Sequence, residues 1–175
     1  GYSLAEGDSV AGTAGLSGTG VLGNDSDADL PGDALLVTLL TAPLHAASFT
    51  LNADGSFSYL HNDSENFSDS FTYSVSDGVN TSAVATALLT VTPVNDNTPL
   101  TMPDSYTLDE GATLTRTAGT SGTGVLGNDT DADGNSLTVT LVSSPLYAAG
   151  FTLQPDGSFS YTHDDSENLL DSFTY

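Results

Sequence analysis

The chain has 175 residues. It contains 23 acidic residues and a single basic residue, Arg116, which gives a formal net charge of −22. Such a charge repels nucleic acid and anionic membrane surfaces, so nucleic acid is excluded as a partner. Because lysine and cysteine are absent, chemistry that needs a lysine amine or a thiolate is excluded too. No apolar stretch approaches the length of a membrane span, which gives no reason to expect direct membrane insertion.

The sequence is a tandem repeat. GTGVLGNDSDAD at residues 18–29 recurs as GTGVLGNDTDAD at 122–133, and residues 41–73 recur at 143–175. The two offsets, 104 and 102, place two extra residues of repeat 1 around Leu30–Asp33. A period of about 100 residues corresponds to a whole small domain and is too long for a solenoid repeat.

Two prolines mark the junction between the repeats. Pro93 and Pro99 bracket a polar segment that directly follows a long predicted strand, which is typical of a linker. We therefore predict repeat 1 at 1–94, a linker at 95–99 and repeat 2 at 100–175. Because Tyr175 is the counterpart of Tyr73, we expect repeat 2 to need its final strands from a continuing chain or from a neighbouring one.

The predicted elements are short strands joined by turns. In chain order, alternating or apolar runs predict strands at Leu35–Thr41, Ser48–Asn52, Ser56–Leu60, Ser70–Ser76 and Ser82–Thr92. Asp-Gly pairs predict tight turns at Asp54-Gly55, Asp77-Gly78 and Asp156-Gly157. No segment has the pattern of an amphipathic helix. About seven strands in about 100 residues predict an all-β protein of tandem immunoglobulin-like β-sandwiches, the second incomplete.

An acidic loop follows the glycine-rich run in each repeat. Its oxygen-bearing residues are Asn24, Asp25, Asp27, Asp29 and Asp33 in repeat 1, and Asn128, Asp129, Asp131, Asp133 and Asn135 in repeat 2. Closely spaced carboxylates repel one another unless water or a cation lies between them. Hard oxygen ligands on a loop suit Ca²⁺, whereas Zn²⁺ prefers His and Cys. The loops therefore predict Ca²⁺ sites, with a solvated acidic turn as the alternative.

The loops are not EF-hands. That motif needs Gly at its sixth position and Glu at its twelfth. Counted from the first aspartate, repeat 1 has Leu30 and Leu36 at these positions, and repeat 2 has Gly134 and Thr140. The flanking helices of an EF-hand are not predicted either.

Four motifs in a fixed order carry a family resemblance: the loop GVLGNDSDAD, the hairpin DGSFSY, the strand DSFTYSVSDG and the junction PVNDNTP. Together they resemble the cadherin-like, immunoglobulin-like tandem repeats of large bacterial surface and secreted proteins. The resemblance covers nearly all of repeat 1 and everything present of repeat 2. It implies a cadherin-type sandwich, an extracellular or cell-surface location, and a structural or adhesive function.

The resemblance also implies a place for calcium at the domain junction. In cadherin-type proteins a linker rich in Asp and Asn, an acidic residue near the base of one domain and a DxD loop of the next domain share the ions. The matching positions are Asn95, Asp96 and Asn97 in the linker, and Asp129, Asp131 and Asp133 in the downstream loop, with Asp109 and Glu110 as further candidates.

The remaining candidate chemistry is weak. His61 and His163 occupy equivalent positions without a metal-binding companion, so we expect them to be surface or strand-end residues. Paired carboxylates can hydrolyse glycosides, but these acids cluster in turns rather than across a cleft. We therefore expect no enzyme.

The sequence favours a non-catalytic extender or adhesin module stiffened by calcium, with neighbouring repeats or like subunits as its partners. Cell-surface glycans or proteins are further candidates. Two alternatives stay open: a carbohydrate- or protein-binding module, and a subunit of a filament or surface layer that assembles by sharing strands. The sequence has no Trp, and most Phe and Tyr fall in phase with the core, which argues against a sugar site.

Overall fold

The computed structural model describes residues 1–28, 34–119 and 122–175. The chain divides into two compact units, Gly1–Val94 and Asn95–Tyr175. Every regular element within the described ranges is a β-strand. None of these residues belongs to a helix that is long and apolar enough to cross a membrane.

Unit 1 is a β-sandwich of seven strands, which confirms the predicted fold class. They are β1 (Tyr2–Ala5), β2 (Ser9–Gly12), β3 (Leu36–Thr41), β4 (Ala46–Leu51), β5 (Phe57–His61), β6 (Ser68–Ser76) and β7 (Ala85–Thr92). One sheet has the order β1-β7-β6-β3 and the other β2-β5-β4. The strand β1 runs parallel to β7, and all other neighbours are antiparallel.

The alternation of side chains along the strands builds the core between the two sheets. In β7 every second residue from Ala87 to Val91 is buried, and the residues between them face solvent. Aromatic rings join the sheets: Phe57 of β5 lies 5.5 Å from Phe71 of β6, measured between ring centroids. Tyr2 of β1 packs edge-on against Phe57 at 4.6 Å. Such pairs add to the free energy gained by burying the rings.

The predicted strands lie close to the observed ones, with shifts at their ends. The last strand begins at Ala85, three residues later than predicted. Sequence pattern did not separate β1 and β2 from the surrounding loop, because each has only four residues, too few to establish a period.

The Asp-Gly turns have the expected backbone. Gly55 has φ +81° and Gly157 has φ +82°, a conformation that only glycine adopts without strain. The carboxylate of Asp54 accepts hydrogen bonds from the backbone N–H and the hydroxyl of Ser56, at 3.0 and 2.6 Å. This turn fixes the register of the hairpin between β4 and β5.

Unit 2 repeats one of the two sheets. Its strands are β8 (Thr113–Arg116), β9 (Ala148–Leu153) and β10 (Phe159–His163), in the order β8-β10-β9. This order matches β2-β5-β4 of unit 1. Opposite this sheet, the segments equivalent to β3 and β6 meet at a bridge between Ser143 and Thr174. The core of unit 2 is formed around Leu114, Val125, Phe159 and Tyr161.

The two equivalent histidines end their strands as predicted, but the expectation of a surface position was wrong. His61 and His163 are both buried. In unit 1 the Nδ1 atom of His61 accepts from the backbone N–H of Gly7 at 3.4 Å, and its Nε2 atom lies 3.2 Å from the carbonyl of Asn66. The ring joins two loops at the end of the sandwich, and hydrogen bonds offset the cost of burying it.

Candidate calcium site

The acidic loop of unit 2 is anchored by a short apolar segment. Val125 and Leu126 are buried in front of the loop, and the backbone N–H of Val125 donates to the carbonyl of Gly157 at 3.0 Å. After the first aspartate, Thr130 exchanges two backbone hydrogen bonds with Leu100, at 2.8 and 3.0 Å. The GVLG sequence therefore holds the loop in place, and the polar residues that follow project from a fixed base.

Asp129 is the buried carboxylate of this loop. Its side chain is 2% exposed. The Oδ1 atom accepts from the backbone N–H of Met102 at 2.8 Å, whereas the buried Oδ2 atom has no hydrogen-bond partner among the residues that the structure describes. An unpartnered buried oxygen on an ionised group is costly, and buried charges are normally paired or bound to a metal.

Linker and loop residues meet around this carboxylate. Asn97 donates to the carboxylate of Asp133 through its backbone N–H at 2.9 Å and through Nδ2 at 3.1 Å. The Oδ1 atom of Asp131 accepts from the backbone N–H of Asn135 at 3.3 Å. A groove of about 550 Å³ is lined by several of these oxygen-bearing residues: Asn95, Asn97, Asp129, Asp131 and Asn135.

Two candidate ligands predicted from sequence lie elsewhere in unit 2. Asp109 and Glu110 are exposed, and they line a second groove together with His163. Neither residue lines the groove around Asp129. Asn128 is exposed and donates through Nδ2 to the carbonyl of Pro103 at 3.3 Å.

The equivalent loop of unit 1 is described only as far as residue 28. Asn24 is exposed, and Asp25 and Asp27 are half-buried, whereas the predicted ligands Asp29 and Asp33 lie outside the described residues. Within the described part of the chain, the Oδ2 atom of Asp25 is buried without a hydrogen-bond partner, as in Asp129. Burial raises the pKa of the Asp25 carboxyl above its usual value.

The carboxylate of Asp25 also affects two tyrosines of the unit 1 core. Burial raises the pKa of the Tyr2 and Tyr73 hydroxyls, and the negative charge of Asp25 raises it further. The first effect is the loss of hydration of the charged phenolate, and the second is repulsion between like charges.

The carboxylate of Glu6 in unit 1 is buried, although the sequence pattern did not single it out as a candidate ligand. Its side chain is 5% exposed. The Oε2 atom accepts from the backbone N–H of Val94 at 3.2 Å, and no described residue gives the buried Oε1 atom a hydrogen bond. The signal was present in the sequence, because Glu6-Gly7 matches Glu110-Gly111, and Glu110 was considered as a ligand.

The donor chemistry of these residues fits a hard cation. Glu6 and Asp129 each use one oxygen in a backbone hydrogen bond, and the other oxygen is buried without a hydrogen-bond partner in residues 1–28, 34–119 and 122–175. Carboxylate, amide and backbone oxygens are the ligands of Ca²⁺. The one Lys or Arg side chain of the sequence, Arg116, lies over the ring of Tyr106, 5.4 Å from its centroid. The chain itself therefore offers almost no cation for its acidic residues.

Comparison with known proteins agrees with the fold and the repeats. A family model described as the bacterial cadherin-like domain matches residues 1–93 and, a second time, residues 95–175. The chain belongs to the bacterial cadherin-like domain family. This confirms the resemblance that the four sequence motifs carry.

Relatives of this chain are named as extracellular matrix proteins. Extracellular matrix protein 3 of Lytechinus variegatus is 30% identical over 202 aligned residues, which cover 100% of this chain and 6% of that protein. FRAS1-related extracellular matrix protein 2 of Homo sapiens is 27% identical over 176 residues, which cover 87% of this chain and 5% of that protein. The chain thus spans a small fraction of the length of the relatives it matches.

Proposed function

We propose that this cadherin-like chain is a non-catalytic extracellular spacer module, and that calcium stiffens the junction between its two domains. The observation that carries the proposal is the buried carboxylate of Asp129. One of its oxygens accepts from the backbone N–H of Met102, and the other is buried beside the linker residues without a hydrogen-bond partner in the described part of the chain. A bound cation removes the cost of that arrangement.

In this proposal residues 95–99 are a linker that carries calcium ligands next to the acidic loop of unit 2. Asn97, in the middle of the linker, donates to Asp133. Directly before the linker, Val94 donates its N–H to the buried carboxylate of Glu6 within unit 1.

The unit 2 ligands of this site are Asp129, Asp131 and Asp133, with Asn97 and the neighbouring linker residues Asn95 and Asp96. Calcium supplies positive charge that the chain lacks. Calcium sites of extracellular modules have dissociation constants of about 10⁻⁴–10⁻³ M. At a calcium concentration of about ten to a hundred times that constant, each site stabilises the fold by roughly 1.4–2.7 kcal/mol.

The partners in this proposal are neighbouring cadherin-like repeats and other molecules of the extracellular matrix. The relatives named above are matrix proteins, and a rigid module spaces functional parts of such a protein along its length. The abundant functional group is a carboxylate in a turn or loop, an arrangement that suits cation binding better than catalysis.

The proposal is tested first by binding and stability. The full chain is titrated with calcium by calorimetry, and its thermal unfolding is followed with calcium and with a chelator. We expect saturable binding and a higher melting temperature with calcium. Magnesium is the control cation, because its smaller octahedral shell fits such a loop poorly. Identical melting curves in calcium and chelator would contradict the proposal.

Stiffness is tested separately. Because the sequence has no cysteine, two spin labels can be placed through V79C in unit 1 and L146C in unit 2, at residues that are 89% and 82% exposed. We expect the distribution of distances between the labels to become narrower when calcium is added. A distribution of unchanged width, despite calcium binding, would show that the ion stabilises a unit without stiffening the junction.

A further inference from the structure

The outer face of the larger sheet of unit 1 carries no charged side chain. Strands β1, β3, β6 and β7 contain one charged residue, Asp69, which is buried. In β7 the residues between the buried positions from Ala87 to Val91 are exposed. The outward side chains at the centre of the face are hydroxyl-bearing or apolar: Thr38, Ser70, Thr72, Thr86, Leu88 and Thr90.

This face differs from the rest of a strongly acidic chain. With 23 acidic residues and a net charge of −22, two copies of the chain repel each other. The acidic residues next to this sheet lie beyond the ends of its strands, as Glu6 does after β1 and Asp77 does after β6. Two copies that meet through their uncharged sheet faces therefore bring few carboxylates together.

An exposed leucine lies near the middle of this face. Leu88 belongs to β7, one of the two central strands, and pairs with Ser70 of β6. It is 61% exposed, and Leu36 on the edge strand β3 is 51% exposed. Removal of this apolar area from water is favourable. The face therefore gains free energy when a surface without charge covers it.

Hydroxyl groups of this face are already paired with one another. The Oγ1 atoms of Thr41 and Thr72 lie 2.6 Å apart, in a hydrogen bond that joins β3 to β6. Repeat 2 keeps this pair, because the hydroxyl oxygens of the equivalent Ser143 and Thr174 also lie 2.6 Å apart. A hydroxyl with a partner inside the face loses less when water is removed. Threonine is also stiff at χ1, so its ordering costs little entropy.

We propose that this sheet face is a self-association surface, on which a second copy of the chain packs with its own equivalent face. The two sheets meet as the sheets of a β-sandwich do, about 10 Å apart. Such a symmetric contact needs only one kind of surface, which both molecules supply. The contact does not depend on calcium, because none of the residues of the face is a candidate ligand.

The size of the face predicts a weak contact between two single repeats. Four strands about 4.8 Å apart and about six residues long, at about 3.3 Å per residue, give a footprint of about 400 Å². One partner of a stable complex buries about 800 Å². The smaller sheet of unit 1 has no acidic residue either, but its three strands offer less area. Weak contacts of this kind add up when several repeats of two chains engage together.

The first test is sedimentation equilibrium of the full chain in chelator, at concentrations up to about 1 mM, where weak contacts become populated. We expect self-association that becomes stronger as sodium chloride is added, because salt screens the repulsion between acidic chains. L88D should weaken association at least about 10-fold, since it places like charges in the contact. V79D is the matched control. It adds the same charge at a residue that is 89% exposed between β6 and β7, and it should associate like the natural chain.

Spin labels locate the contact even if L88D lowers the stability of unit 1. Because the sequence has no cysteine, T90C places one label on the larger sheet and T50C places one on the smaller sheet, both at exposed residues. Each labelled chain is measured at the concentration at which the natural chain associates. We expect dipolar broadening between molecules for T90C and little broadening for T50C.

Four results would overturn the proposal. The first is a chain that stays monomeric at high salt, and the second is association that salt weakens, which would indicate contact through charged loops. The third is equal weakening by L88D and V79D, and the fourth is broadening for T50C but not for T90C. A monomeric chain that binds an uncharged polysaccharide, and loses this binding with L88D, would assign the face to a glycan instead.

Discussion

Replacing Asp129 with asparagine should change the stability of unit 2 in opposite directions with and without calcium. The amide keeps the hydrogen bond from the Met102 N–H, because its Oδ1 atom can accept in place of the carboxylate oxygen at 2.8 Å. The group that replaces the unpartnered Oδ2 atom is neutral. A buried neutral group without a partner costs less than a charged one. In chelator we therefore expect D129N to be more stable than the natural chain, by about 1 kcal/mol.

In calcium the balance is reversed. At about ten to a hundred times the dissociation constant, the natural chain gains roughly 1.4–2.7 kcal/mol per site. D129N loses a charged ligand, so most of this gain should disappear. A change of about 1 kcal/mol shifts the melting temperature of a domain of this size by about 4–8 °C. Both effects are therefore measurable.

The assay is differential scanning calorimetry in calcium and in chelator, with hydrogen exchange of residues 95–175 to report on unit 2 alone. D164N is the matched control. It removes the same charge at an exposed position, and repeat 1 already has an asparagine, Asn62, at the equivalent place. The reasoning is refuted if D129N and D164N respond equally to calcium, or if D129N is destabilised by the same amount with and without the ion.

Three further predictions concern the sandwich itself. L89A should lower the free energy of unfolding of unit 1 by about 2–5 kcal/mol in urea titrations, whereas L88A on the solvent face should change it by less than about 0.5 kcal/mol. Similar losses would show that the side chains of β7 do not alternate between core and solvent. G55A should lower the free energy of unfolding more than G15A does. Both glycines have positive φ, but an added Cβ at Gly55 would lie 2.7 Å from a buried leucine, whereas at Gly15 it would have no described heavy atom within 4 Å. Equal losses of free energy in urea titrations would mean that backbone strain alone matters. Burial opposes ionisation of Asp69, but hydrogen bonds from backbone N–H groups and a tyrosine prevail and lower the pKa of its carboxyl. The contribution of Asp69 to the free energy of folding is therefore fully present above the pKa of the unfolded chain, about 3.9. It is lost as the pH falls through the lower pKa of the folded chain. When the free energy of unfolding is measured against pH, D69N should lose less stability at acid pH than the natural chain does. An unchanged loss would show that another group causes it.

Much of the fold was predictable because the strands have strong local signals. Alternation in β5, β6 and β7 shows which side chains face the core, and Asp-Gly pairs mark the hairpins. The four motifs were also enough to recognise the cadherin-like family. The limits of this approach appear in β1 and β2. Their role depends on pairing with β7 and β5, which are distant in the sequence.

The candidate site was predictable only in part. The spacing of the carboxylates indicated oxygen ligands, and the tandem copy showed that the loop recurs. Spacing could not show that Asp129 is buried with one free oxygen, because burial depends on segments such as Leu100–Met102 that reach the loop through space. Glu6 was missed for the same reason, since its partner Val94 is 88 residues away in the chain.

The sequence by itself determined the composition, the charge, the repeat, the strand pattern and the family. These properties depend on residue types and on short-range periodicity, which the linear order contains. Only the tertiary structure decided which of many carboxylates are buried and that the two histidines are inside. Those outcomes follow from desolvation and from pairing between distant strands, and both depend on which segments meet in three dimensions.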